Sequence, residues 1–268
     1  MILPVLLALA GGVLAPPSPR PAPAVQETGE VVPDDRFEVA ILLDQLREQA
    51  GRLGKEDAAA IQTIDRLRAE FPRSGPHDRS DIATELHRTM RVPRRMARDG
   101  TRPRELFLAA TRALAEMAPE SVEHLVRLIG ERNHATDYEV REAILAAVGR
   151  TRDARAVEPL LDVLDEFQAR LQAAAAGALG EFTNLDQKIR KRIFEDLLKL
   201  LASTHAAQQE DPNGSTINDR WNRIAGPAQS SMRKLSGAEV DGPPAWLHWW
   251  NKNKKRDWDD KEQAGGRR

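Results

Sequence analysis

The chain has 268 residues, of which 41% are hydrophobic and 30% charged, which is enough apolar material for a large core; its formal net charge of −1 gives no overall attraction to nucleic acid or anionic lipid. Aromatic residues make up only 4% while alanine and leucine are abundant, a mixture that favours close-packed helices over sheets. The absence of cysteine excludes disulfides, thiolate nucleophiles and cysteine-ligated zinc or iron–sulfur sites.

Residues 1–15, MILPVLLALAGGVLA, are apolar and uncharged. The run is short for a bilayer span, which takes about 20 residues. It has the character of the hydrophobic region of a secretory signal, with Ala22-Pro23-Ala24 as an A-x-A cleavage motif, although no Lys or Arg precedes it. The expectation is a signal peptide over 1–24 and an extracytoplasmic location, periplasmic or secreted. The alternative is an uncleaved membrane anchor formed by residues 1–15. Residues 25–34 read as a disordered linker.

An N-terminal helical region follows over 35–100. Phe37, Ile41, Leu42, Leu46, Ala50 and Leu53 keep a helical period, with Gly51 and Gly54 closing the segment. A second helix over 55–71 carries Ile61, Ile64, Leu67 and Phe71, and Pro72 stops it. The stretch RSGPHD reads as a turn, and a third helix from Ser80 to Arg91 carries Ile82, Leu86 and Met90.

Helices are then expected over 103–117 and 119–131, each opening on a proline in its first turn. Helix 137–149 follows, with Thr136-x-x-Glu139 as a capping box. Asp153 caps a helix carrying Val157, Leu160, Leu161 and Leu164. Helix 166–181 has Asp165-x-x-Gln168 as a weaker box. Helix 185–202 has Asn184-x-x-Gln187 at its start and a wide apolar stripe. Residues 203–216 read as a long polar loop, 217–235 as a helix, 245–254 as a short tryptophan-rich helix, and 255–268 as a disordered charged tail.

The pattern Val140, Ala143, Ala147, Val148, Gly149 recurs 31 residues later as Leu171, Ala174, Ala178, Leu179, Gly180, and a weaker copy, Leu106, Ala109, Ala113, Leu114, lies 34 residues upstream. A period of this size marks units that cannot bury an apolar face alone and stack on their neighbours. The nearly side-chain-free run Ala173–Ala176, Gly177, Ala178 suits close approach of a neighbouring helix.

Residues 137–164, DYEVREAILAAVGRTRDARAVEPLLDVL, resemble a HEAT repeat of the phycobilisome-lyase-like type, through Arg141, Ala143, Ala147, Gly149, Asp153, Ala156, Val157 and Leu160. Residues 166–201 resemble it in the first helix, with Gln172 in place of the repeat arginine. Residues 221–258, with Leu235-Ser236-Gly237, Trp246, Trp249, Trp250, Lys252 and Asn253, are similar to the closing unit of secreted bacterial HEAT proteins. The resemblance implies an all-α, HEAT-like helical-hairpin solenoid (an α-α superhelix) over 101–254. Its second helices, 119–131, 154–164 and 185–202, would line one face and expose His124, Arg127, Glu158, Asp162, Lys188 and Lys191. Such repeats are general-purpose scaffolds, so the fold does not name a function.

Two constellations invite a functional reading. Arg88, Arg91, Arg94, Arg95, Arg98, Arg102 and Arg104 form a basic cluster with Asp99 as its one acid, and Arg94, Arg95 and Arg98 are its candidate binding residues. No aromatic residue interleaves for base stacking, so a solvated connector is preferred over a nucleic-acid site. Trp246, Trp249 and Trp250, spaced i, i+3, i+4, are preferred as a cap on the open end of the solenoid over a binding surface, with Trp258 beyond them and exposed. The six histidines form no H-x-x-x-H pair, no His-Glu dipeptide occurs, and no nucleophile-elbow or phosphate-loop motif is present. The resulting expectation is an exported, non-enzymatic protein–protein interaction scaffold without cofactor or metal, binding another protein and not nucleic acid, and touching a membrane only through an uncleaved N-terminal segment. The alternatives are nucleic-acid or anionic-ligand binding through Arg88–Arg104, and a tetrapyrrole-chromophore lyase-like protein.

Overall fold

Apolar residues at helical spacing, interrupted by prolines, glycines and short polar turns, produce a succession of helices. The computed structural model describes residues 34–94 and 103–259. The expected signal peptide, nearly all of the linker, Arg95, Arg98 and Arg102, and residues 260–268 lie outside the described residues. The α-helices are α1 (Phe37–Gly51), α2 (Asp57–Glu70), α3 (Pro76–Met90), α4 (Glu105–Ala115), α5 (Val122–Ile129), α6 (Tyr138–Thr151), α7 (Val157–Leu164), α8 (Ala169–Leu179), α9 (Gln187–Glu210), α10 (Ser215–Ser236) and α11 (Pro243–Asn253). No strand occurs among the described residues.

The helices stack in two layers. One layer runs α2, α4, α6, α8, α10, each packed on the next. The other runs α1, α3, α5, α7, α9, α11, with the 3-10 turn Ala154–Ala156 bridging α5 and α7. Each helix of the second layer also packs on the helix that follows it in the chain, from α1 on α2 to α9 on α10. The fold is therefore an all-α helical solenoid, and residues 35–92 join it as stacked helices. Its core is continuous along the chain, from Val39, Leu46 and Leu67 through Leu114, Val148 and Leu179 to Phe194, Leu235 and Trp246, all fully buried.

The repeated glycines have a steric cause. A Cβ on Gly149 in α6 would lie 2.8 Å from the Cα and the carbonyl oxygen of Ala178 in α8. A Cβ on Gly180 would lie 2.3 Å from Ser231 Oγ and 2.9 Å from Ser231 Cα in α10. The closing glycine of one repeat is thus where the next helix of the same layer crosses. Gly177, by contrast, faces open space, whereas the run approaches its neighbours through Ala178 against Gly149 and through Ala176, whose carbonyl accepts from Ser231 Oγ at 2.7 Å.

Several helix starts differ from the expected ones. The cap of α6 is Asp137, whose carboxylate accepts from the Val140 amide at 3.3 Å, so Glu139 lies too near the helix start to reach back as in a capping box and pairs with Arg104 instead. Asp186, not Asn184, caps α9, accepting from the Lys188 amide at 2.7 Å; Asn184 donates to the Arg152 carbonyl. The box expected at Asp165 and Gln168 does not form, and α8 starts at Ala169 without a side-chain cap. Helix α3 begins at Pro76, inside the expected turn, because Asp34 supplies a cap from a distance: its carboxylate accepts from the amides of His77 and Asp78 at 3.0 and 2.8 Å. Asp78 returns the bond, accepting from the Arg36 amide at 3.2 Å beside the start of α1. The expected loop over 203–216 is mostly helix, since α9 continues to Glu210. Ala202, Ala206, Ala207, Gln208 and Gln209 are good helix formers, and Thr204 is buried with its hydroxyl donating to the Leu200 carbonyl at 2.7 Å.

At the C-terminal end Phe194 is surrounded by tryptophans, with ring centroids 5.6 Å from Trp246, 5.3 Å from Trp249, 5.2 Å from Trp250 and 5.5 Å from Trp258. Trp258 is half-buried in this cluster, not exposed. Of the expected tail, the described residues 255–259 are exposed apart from Trp258 but are tied to α9: Arg190 donates to Asp259 at 2.5 Å and to the Leu235 carbonyl at 3.1 Å, and Gln187 accepts from the Trp258 amide at 2.7 Å.

Candidate functional site

The described members of the arginine cluster are engaged one by one. Arg88 pairs with Glu85 at 2.5 Å, Arg91 with Glu131 at 3.0 Å, and Arg104 with Glu139 and, at 3.9 Å, with Asp137. Arg94 departs furthest from the expected solvated connector. Its side chain is only 2% exposed, lies 3.1 Å from the Asp57 carboxylate, donates to the Ala50 carbonyl at 3.0 Å and sits over the Phe107 ring at 5.4 Å. It ties the end of α1 and the start of α2 to α4. Arg95 and Arg98 lie outside the described residues. The basic run is therefore neutralised where the structure describes it, because acids from neighbouring helices that are distant in sequence meet it.

The residues expected on the second-layer face separate into three groups. His124 and Arg127 lie one turn apart on α5. Arg127 is exposed and 3.4 Å from Glu123. The half-buried His124 ring meets His87 of α3 with centroids 5.0 Å apart. Burial holds His87 well below the ordinary imidazole range, at about 4, aided by His124 and by the nearby Arg91 and Arg127. His124 is lowered too, first by burial and then by Arg127. These two rings remain neutral at pH 7. Lys188 is exposed at the start of α9. Lys191 donates to the Arg256 carbonyl at 2.5 Å and lies over Trp258 at 5.4 Å, which makes it part of the C-terminal cap.

Glu158 and Asp162 form the third group, and they belong to a cleft. It has a volume of about 570 Å³ and opens between α7 and α9, with the 165–167 turn, Gln172 of α8 and Arg220 of α10 completing its wall. Leu161, Leu164 and Leu200 give it an apolar floor. Three of its carboxylates are already paired: Glu158 with Arg192, Asp196 with Lys199 at 2.9 Å, and Glu166 with Arg141 at 2.8 Å. Asp162 and Asp165 are exposed with no ion pair among the described residues. Phe167 stands on the rim with 87% of its surface exposed, while its carbonyl accepts from Arg220 at 3.0 Å. Gln172 is buried, donating to the Leu164 carbonyl at 2.6 Å, and its Oε1 has no hydrogen-bond partner.

Sequence reasoning missed most of this cleft. The local pattern sets Asp165 in a capping box and Phe167 inside a helix, which hides both as surface residues. The legible signals were a large aromatic residue in a turn and a glutamine where the repeat carries arginine. A smaller hollow of about 370 Å³ lies against Arg94, Phe107 and Asp137. No group of three or more metal-ligating side chains is gathered among the described residues, and no helix there is long and apolar enough to cross a membrane.

Residues 140–166, the α6–α7 hairpin and the first part of the cleft turn, match the model of the PBS lyase HEAT-like repeat. No curated protein matches the chain. With equivalent helix pairs stacked on both sides of that hairpin, the chain is a HEAT-repeat-containing protein.

Proposed function

We propose that the protein is a non-enzymatic interaction scaffold that binds another protein through its second helical layer, and that it works outside the cytoplasm. The observation that carries the reading is the cleft between α7 and α9, with an exposed phenylalanine on its rim and charged side chains around an apolar floor. Hydrophobic anchors ringed by polar groups suit protein recognition. The paired state of Arg88, Arg91, Arg94 and Arg104 speaks for protein over nucleic acid, since phosphate binding would compete with acids already in place. The apolar stretch 1–15 and Ala22-Pro23-Ala24 support export.

The test is affinity capture from the native envelope fraction with the full chain, followed by mass spectrometry, in parallel with N-terminal sequencing of the protein from its own host. A partner retained in the presence of nuclease, and a mature terminus near Ala24, are expected. Retention lost on nuclease treatment, or an intact Met1 on a soluble cytoplasmic protein, would overturn the corresponding part.

A further inference from the structure

We infer that the α7–α9 cleft is a docking site for a cationic segment of the partner protein, an arginine or lysine side chain entering over Asp162 and Asp165 toward Gln172. The inference rests on the scaffold reading and names the chemistry of what the scaffold holds.

Three observations converge. First, Asp162 lies in the last turn of α7 and Asp165 is its C-terminal cap residue. A helix C-terminus carries partial negative charge and favours cations, so two carboxylates there are of the wrong sign for stability. The last turn of α7 holds no basic residue, and the other carboxylates of the cleft have taken Arg192, Lys199 and Arg141. The lining carries five carboxylates against Arg192, Lys199 and Arg220, with Arg220 held by the Phe167 carbonyl, and Asp162 and Asp165 are left without an ion pair among the described residues.

Second, Gln172 Oε1 is a buried acceptor without a partner in that same wall. Its orientation is set by the bond from Nε2 to the Leu164 carbonyl. A buried acceptor left unpaired is costly, and an N–H from the occupant would satisfy it. An ammonium or guanidinium supplies that donor together with the charge that Asp162 and Asp165 lack.

Third, Phe167 presents its ring to solvent beside these acceptors, anchored through its carbonyl by Arg220. An exposed ring face next to carboxylates suits the flat guanidinium and the methylene stem of a long cationic side chain. The apolar floor of Leu161 and Leu200 accepts the rest of that stem. The donor set does not gather as a metal site among the described residues.

The experiment measures fluorescence anisotropy of labelled hexa-arginine and hexa-glutamate peptides against the full chain. Binding of hexa-arginine alone is expected. It should weaken at least about tenfold, or roughly 1.4 kcal/mol, in the Asp162→Asn/Asp165→Asn variant, and measurably in Phe167→Ala. A control with two exposed acids of α1 neutralised, Glu38→Gln/Asp44→Asn, should bind as the parent does. The cleft variant should melt no lower than the parent, because it removes unfavourable charge from a helix C-terminus. Absence of hexa-arginine binding, equal loss in the control, or full retention in the cleft variant would each overturn the inference. Capture of a partner that Asp162→Asn/Asp165→Asn retains undiminished would overturn the cleft and leave the scaffold standing. Capture of nothing would sink the scaffold itself.

Discussion

Gly149 and Ala178 lie so close that a side-chain carbon on the glycine would meet both the Cα and the carbonyl oxygen of the alanine at 2.8 Å. The obstacle is backbone, so no rotamer change relieves it. Gly149→Ala is expected to destabilise the fold by about 1–3 kcal/mol through overpacking. Gly177→Ala, next to Ala178 in the same helix but pointing into open space, should stabilise it by roughly 0.5–1 kcal/mol, because nothing lies within reach of the new methyl group and alanine is the better helix former. Urea unfolding of the two variants decides this: opposite signs are expected, and equal effects would refute the crossing. The fully buried Leu179 beside it should cost about 2–5 kcal/mol as Leu179→Ala.

At the C-terminal end, Phe194 is fully buried and within 5.6 Å, centroid to centroid, of Trp246, Trp249, Trp250 and Trp258. Phe194→Ala should cost about 3–5 kcal/mol and raise the exposure of the tryptophans together. Tryptophan fluorescence of the folded variant should shift to longer wavelength. An unchanged spectrum with unchanged stability would show that these rings do not close the solenoid as one cluster.

The repeat itself was legible because periodic burial leaves a periodic trace: Gly149 and Gly180 stand at equivalent crossings, and Val148 and Leu179 are both fully buried. Helix ends were less legible. Thr136, Asn184 and Asp165 satisfied the local pattern of a cap, yet the backbone turned one or two residues later, at Asp137 and Asp186, or without any side-chain cap, at Gln168. The Asp34–Asp78 exchange could not be read from spacing, since its partners are 44 residues apart. The same holds for the cleft: Glu158, Asp162, Gln172 and Arg220 come from three helices, and only stacking brings them to one wall. Arg94 shows the limit most plainly. A basic run looks solvated in a sequence, and its pairing with Asp57 depends on which helix the chain folds back upon.

That pairing gives a test. Arg94 is nearly fully buried between Asp57, the Ala50 carbonyl and the Phe107 ring. Arg94→Glu would set two carboxylates against each other and leave the carbonyl without its donor, so a loss of about 3–5 kcal/mol is expected, the range for breaking a buried pair. Arg88→Glu is a useful contrast within the cluster, because the arginine is more than half exposed, although its partner Glu85 is buried and also bound by Arg47. Its loss should be the smaller of the two. Equal melting temperatures for Arg94→Glu and the parent would mean that the connector is solvated after all.

The His87–His124 contact makes stability depend on pH in a definite direction. Both imidazoles are lowered from the ordinary value near 6.5, His87 to about 4, mainly because burial disfavours the charged ring. Of the charges that face them among the described residues, Arg91 and Arg127 oppose protonation, while Glu131 and Glu123 favour it more weakly. The unfolded chain therefore binds more protons than the folded one between about pH 6.5 and 4. Stability must then fall as pH drops through that window and level off below it. Because both rings are only half-buried, the effect is on the order of 1–2 kcal/mol after solvent screening. Carboxylates begin to titrate in the lower part of the same window, so the measurement is a difference. Denaturant midpoints of the parent and of His87→Gln/His124→Gln are compared at pH 7, 6, 5 and 4.5. The variant should lose less stability than the parent on acidification, with the gap opening first between pH 6.5 and 5, where carboxylates are still largely ionised. Parallel curves would show that the two histidines titrate alike in the folded and unfolded chain, and the ring contact between α3 and α5 would then carry no pH dependence.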